Sequence, residues 1–144
     1  MRSYVWGAVP LVGILLMMAV LMRPQPEKYA LLRKDGNLMV GEIAPGDLRN
    51  KVHRGEQFVL LDVREPEEVA IVRLPGSVHI PMGEVPGRLH ELDPDRETIV
   101  YCHHGVRSLH VDNFLAQRDF EHVMSLAGGI DAWAVEVEPG MRRY

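Results

Sequence analysis

Four short runs dominated by apolar residues, 58–63, 78–80, 98–101 and 122–126, constrain this fold more than any other feature of the chain. Each is too short for a helix and is separated from the next by helix-compatible sequence. Continuous rather than alternating apolar runs of this length suit strands buried on both faces, and interleaved helices make such strands parallel. The predicted class is therefore α/β, a three-layer domain over 38–144 whose central, mostly parallel sheet is flanked by helices.

The elements follow from local chemistry. Leu38, Met39 and Val40 offer a first short strand. A helix is expected from Ala44 to His53, with Pro45 in its first turn and Leu48 and Val52 on one face. Pro66 opens a short helix whose acids, Glu67 and Glu68, sit favourably near its N-terminus and read as solvated. Pro75-Gly76 marks a turn. Val85 to Leu92 reads as a helix closed by Asp93-Pro94-Asp95. Residues 108–117 form another, with Leu109, Val111, Phe114 and Leu115 available to the sheet, and Gly128-Gly129 precedes a final helix through Trp133.

The N-terminal segment answers to a different solvent. Residues 4–22 carry no charged side chain, and Arg2 and Arg23 bracket them. At about 1.5 Å per residue the run nearly matches a hydrocarbon core of roughly 30 Å. Tyr4 and Trp6 suit the headgroup level, and Pro10 and Gly13 are tolerated in membrane helices. A cleaved signal peptide fits poorly for want of small residues at a cleavage site, and a buried helix seldom runs so long without a polar face. The expectation is a transmembrane anchor over 1–23 and a linker over 24–37. Arg23, Lys28, Arg33 and Lys34 after the helix place the remaining domain on the cytoplasmic side of a single-pass protein.

Of 144 residues, 47% are hydrophobic and 25% charged, and the net charge is -4. That profile is globular, and without a basic patch it points away from nucleic acid. The single cysteine rules out an intrachain disulfide and a Cys-rich zinc site.

That cysteine, Cys102, falls at the carboxyl end of the 98–101 run, where open parallel sheets bind ligands. It opens the loop Cys102-His103-His104-Gly105-Val106-Arg107, followed by Ser108 and a helix. The helix directs the positive end of its dipole and its unpaired N–H groups at the loop. Gly105 permits the backbone to curl successive amides inward as an anion nest, and Arg107 adds a permanent charge. These effects together stabilise a thiolate. The competing reading is a small buried residue closing a strand.

At these residues the chain resembles the rhodanese family of sulfurtransferases, over roughly residues 38–133. Residues 60–66, LLDVREP, are similar to its early strand signature, and 74–81, LPGSVHIP, to its "IPGA-IP" segment. The 102–107 loop matches its six-residue active-site loop, and 126–133, LAGGIDAW, its closing "GGI-AW" motif. Two departures stand out: Val72-Arg73 replaces the frequent Gly-His, and Asp119 stands where a glycine commonly follows the long helix.

The resemblance implies a sulfurtransferase with no cofactor. Cys102 takes sulfur from a small sulfur-containing anion such as thiosulfate, or from a persulfide donor, and passes it to cyanide or a thiol. With no second cysteine in the chain, the acceptor is external, a thiol or a protein. Arg107 either contacts substrate or braces the loop; Asp62 and Arg64, at another strand end, read as a supporting ion pair.

A metal is not expected. His103 and His104 adjoin Cys102, but neighbours in a tight nest rarely converge on one ion, and no further ligand lies near them in sequence. Their expected effect is electrostatic, through partial protonation. The other histidines show no ligand spacing, and Trp133 reads as core. Among rival functions, a phosphatase loop of the related type has five residues between Cys and Arg, whereas here there are four. A docking module would do without the cysteine, which is present. A membrane-tethered persulfide carrier or sensor needs the same loop as a thiosulfate enzyme.

Overall fold

The computed structural model describes residues 41–144. The expected anchor over 1–23, the linker over 24–37 and the candidate strand at Leu38–Val40 lie outside the described residues. Among the described residues no helix is long and apolar enough to cross a membrane.

The elements run β1 (Gly41–Ile43), α1 (Pro45–His53), β2 (Val59–Asp62), α2 (Pro66–Ile71), β3 (Val78–His79), β4 (Thr98–Tyr101), α3 (Val106–Ala116), β5 (Val123–Leu126) and α4 (Gly129–Glu136). The five strands form one sheet in the order β1-β5-β4-β2-β3, and every pairing is parallel. All strands therefore deliver their carboxyl ends to the same edge of the sheet. There β2 and β4 run in register, Asp62 beside Tyr101.

Strand periodicity divides the core into two layers. Leu60, Ile99, Tyr101, Met124 and Leu126 point to one face, where they meet Leu48 of α1 and Ile130 and Trp133 of α4. Leu61, Val100 and Cys102 point to the other face, against Val111 and Leu115 of α3, Val85 and Leu92. Trp133 is core, as read from the sequence. Cys102 belongs to the α3 layer, so its sulfur leaves the sheet towards the helix that follows it.

Between β3 and β4 the structure departs from expectation. Residues 85–92 are not an α-helix; two short 3-10 helices, Met82–Gly87 and Leu89–Glu91, occupy the stretch. Pro86 lacks the N–H that an α-helix needs at that point, and Gly83 and Gly87 flank it with poor helix formers. Only Val85 of the first turn is buried.

Helix α3 starts at Val106, two residues before the expected position, because Gly105 serves as its N-cap in a left-handed conformation (φ 100°). At the end of the same helix Asp119 has φ 65°, the one positive value on a non-glycine residue among those described. Asp119 thus takes a left-handed conformation at the position where the family commonly has glycine, and Asp is among the few side chains that tolerate this region.

Candidate functional site

The loop after β4 is built around the sulfur of Cys102. The Gly105 N–H donates to Sγ at 3.1 Å, and the Ser108 hydroxyl lies 3.5 Å from it. Ser108 in turn donates to the Gly105 carbonyl at 2.9 Å and accepts from Ser125 of β5 at 2.7 Å. The sulfur is 1% exposed and sits over the first turn of α3. An N–H is aimed at the sulfur, which lies at the N-terminal, positive end of an 11-residue helix.

Two carbonyls of the loop are claimed from α4. Ile130 N–H donates to the Cys102 carbonyl at 2.9 Å and Asp131 N–H to the His103 carbonyl at 3.1 Å. Those donors are first-turn amides of α4, which lack intrahelical partners. The close approach explains the Gly128-Gly129 pair. A Cβ on Gly129 would lie 2.5 Å from the Cys102 carbonyl oxygen and closer still to that of His103. One on Gly128 would lie 2.5 Å from Ala132 Cβ.

Arg107 does not extend into free space. Its guanidinium makes a paired contact with Glu68 of α2, at 2.6 and 2.7 Å. This arrangement favours the bracing role for Arg107. It also corrects the reading of Glu68 as a solvated helix-terminal acid. The carboxylate accepts from Arg107, from the Glu65 N–H at 3.0 Å and from the Tyr144 hydroxyl at 3.0 Å. Arg107 holds it well below the usual carboxylate range, at about 2. Glu67 makes no such contact among the described residues and keeps its place on a short helix.

Asp62 and Arg64 form the supporting ion pair expected of them, with both side chains 0% exposed. Arg64 donates to Asp62 through Nε at 2.9 Å and Nη2 at 2.6 Å. Its remaining N–H groups reach the Val72 and Glu68 carbonyls and the Tyr144 hydroxyl. The Tyr101 hydroxyl donates to Asp62 at 2.7 Å; burial and the Asp62 charge push it up to about 12. A buried guanidinium with its donors satisfied ties β2, α2 and the 72–74 turn together. The Val72-Arg73 departure is absorbed in that turn, where Arg73 donates to the Ser77 carbonyl.

His103 and His104 stack on each other, ring centres 3.8 Å apart, and His103 stacks on Tyr144 at 4.1 Å. Burial lowers the His103 pKa, with the neighbouring His104 charge adding to the effect, so this ring favours its neutral form. The fold also brings Asp131 to the pair, which its distance in sequence concealed: ligand atoms of His103, His104 and Asp131 lie within 4.8 Å of one another. Asp131 is already engaged by Arg143, at 2.7 and 3.1 Å. A cation there would compete with that guanidinium for Asp131. Val106, the first residue of α3, is an exposed hydrophobic.

The site residues missed by sequence reasoning are Glu68, Ser125, Gly129, Asp131 and Tyr144. Gly129 had a signal in the doubled glycine. Ser125, a polar residue inside a buried strand, had a weaker one. Tyr144 had none.

Comparison with known proteins agrees with this geometry. The model of the Rhodanese-like domain matches residues 44–136. The "Putative sulfurtransferase YtwF" of Bacillus subtilis (strain 168) is 39% identical over 100 residues, which cover 69% of this chain and 96% of that protein. A "Sulfurtransferase" of Allochromatium vinosum is 36% identical over 96 residues, covering 67% and 90%. The crystal structure of a rhodanese-related protein from Thermoplasma volcanium superposes with a TM-score of 0.62 at 32% identity, covering 68% and 94%.

Proposed function

The chain belongs to the rhodanese-like domain family, a sulfurtransferase by its relatives, and from that premise we propose that Cys102 is the residue that carries the sulfur. The observation carrying this reading is the Gly105 N–H pointed at Sγ from the N-cap of α3. The Cys102 thiolate attacks the outer sulfur of thiosulfate. The S–S bond of the donor breaks, and its electron pair leaves with sulfite. The terminal sulfur of the resulting persulfide carries the negative charge, which the inward amides and the helix dipole stabilise. Cyanide or an external thiol then attacks that terminal sulfur, and the Cys102 thiolate is regenerated.

In this scheme Arg107 acts through the loop and not as a free anion clamp, because Glu68 occupies its guanidinium. The burial of Cys102 supports a second reading, a persulfide carrier that opens to one protein partner and turns over small donors slowly. The uncharged run at 4–22 and the basic residues after it support a membrane tether with the domain facing the cytoplasm. A reporter fused after Tyr144 is expected to be active only in the cytoplasm, and activity only outside overturns that orientation.

The test of chemistry is intact mass of the full chain in detergent before and after thiosulfate, beside Cys102→Ser. A gain of about 32 Da, removed by cyanide and absent from the variant, is expected. Failure to gain sulfur from both thiosulfate and a low-molecular-weight persulfide removes the sulfur-carrying role of Cys102. Gain without appreciable thiocyanate turnover favours the carrier.

A further inference from the structure

Residues 143 and 144 lie against the loop at His103 and are held by partners on both sides of it, Asp131 on α4 and Arg64 and Glu68 on the β2–α2 side. Arg143 makes two hydrogen bonds to Asp131, whose own N–H holds the His103 carbonyl. The Tyr144 ring lies nearly flat on His103, 14° between planes. Its hydroxyl accepts from Arg64 Nη1 at 2.9 Å and donates to Glu68 Oε1 at 3.0 Å. Those two partners are the buried arginine of the β2–α2 corner and the carboxylate that holds Arg107. The ring is thereby fixed beside the residue next to Cys102, and Cys102 is 1% exposed. Tyr144 is 39% exposed and belongs to neither layer of the core.

We propose that Tyr144 is a specificity-determining residue: its ring on His103 walls the approach to Cys102, passing small anionic donors and turning away bulky ones. The proposal rests on the reading of Cys102 as the sulfur-carrying thiol. A small donor reaches the sulfur by a local opening of the loop. A bulky donor has to lift the ring as well, at the expense of the stack and both hydroxyl hydrogen bonds.

The single cysteine makes a direct test practical, since any thiol reagent reports on Cys102 alone. In the full chain in detergent, alkylation by iodoacetamide and by N-phenylmaleimide is followed by intact mass. Both reagents attack the same sulfur, so its nucleophilicity cancels in the ratio of their rates. Tyr144→Ala is expected to raise the N-phenylmaleimide to iodoacetamide ratio about tenfold, as the lifted state becomes the resting one. Tyr144→Phe, which keeps the stack and loses both hydrogen bonds, is expected to fall between. A ratio in Tyr144→Ala equal to that of the parent, including equal acceleration of both reagents, overturns the wall.

Sulfur gain is then compared for thiosulfate and benzenethiosulfonate, donors of one chemistry and two sizes. Tyr144→Ala should shift preference towards benzenethiosulfonate. If the alkylation ratio moves but neither donor loads sulfur onto the parent, the wall stands and the sulfur-transfer reading falls. If thiosulfate loads sulfur and the alkylation ratio does not move, the wall falls and the chemistry stands.

Discussion

Asp112 lies on α3 one turn beyond Ser108, 1% exposed, and its Oδ2 has no hydrogen-bond partner. Burial, with a smaller contribution from the charge of Glu42, pushes its carboxyl up to about 7. Against an ordinary value of 3.8, that gap at about 1.4 kcal/mol per pH unit sets a ceiling of about 4 kcal/mol on the cost of the ionised side chain. The sign follows from proton counting. Below about pH 4 both folded and unfolded chains hold the proton, and Asp112 costs nothing through ionisation. Between about 4 and 7 the unfolded chain has released it and the folded one has not, so stability falls as pH rises. Above about 7 the full penalty is present.

Asp112→Asn removes the titration while keeping the shape. Urea unfolding of the full chain, followed by far-UV circular dichroism at pH 4.5, 6 and 8 (about these values), measures the difference between variant and parent. That difference cancels every other titrating group. It is expected at about 1 kcal/mol at the acid end and to grow to between about 2 and 4 kcal/mol in favour of Asn at the alkaline end. A difference that is flat with pH, or that favours the parent at the alkaline end, would refute the reasoning. It would mean that the carboxylate is ionised and compensated in the fold.

Other substitutions probe the site directly. Arg64→Leu leaves Asp62 charged and buried without its partner, and a loss of about 3–5 kcal/mol in urea unfolding is expected. Gly129→Ala places a methyl group against the Cys102 and His103 carbonyls at a backbone φ of 62°. It should slow sulfur loading of Cys102 by about tenfold or more, measured by mass, through displacement of the loop. Glu68→Gln frees Arg107, and the thiosulfate KM should fall by about threefold at low salt, with the gain shrinking at high salt. Because Arg107 holds the Glu68 carboxyl at about 2, their pair contributes fully above about pH 4.5 and is lost only as pH falls through 2. A thiosulfate KM that changes between about pH 5 and 8 would therefore need a cause other than this pair.

What the sequence disclosed follows the range over which its signals act. Continuous apolar runs marked β2, β4 and β5 within a residue or so, because a strand buried on both faces needs nothing from elsewhere to be recognised. Gly105 was legible as special backbone, and Asp62 with Arg64 as an ion pair, since their partners are near in sequence. The helix expected over 85–92 was misread because Val85, Leu89 and Leu92 recur at helical intervals, while Pro86 and Gly87 disfavour the α form. Partners from distant positions stayed hidden: Glu68 for Arg107, Asp131 for His104, Tyr144 for Arg64. No local pattern distinguishes a solvated glutamate from one that meets an arginine 39 residues later.

The carbonyl latch between the loop and α4 has a consequence for how the site fluctuates. The protons of Ile130 N–H and Asp131 N–H are held by the carbonyls of Cys102 and His103, the first two residues of the loop. Fraying of the first turn of α4 releases both of those carbonyls and with them this hold on the loop. Hydrogen exchange at those two amides, about 28 residues downstream of the nucleophile in sequence, thus measures how often the cradle around Cys102 comes undone.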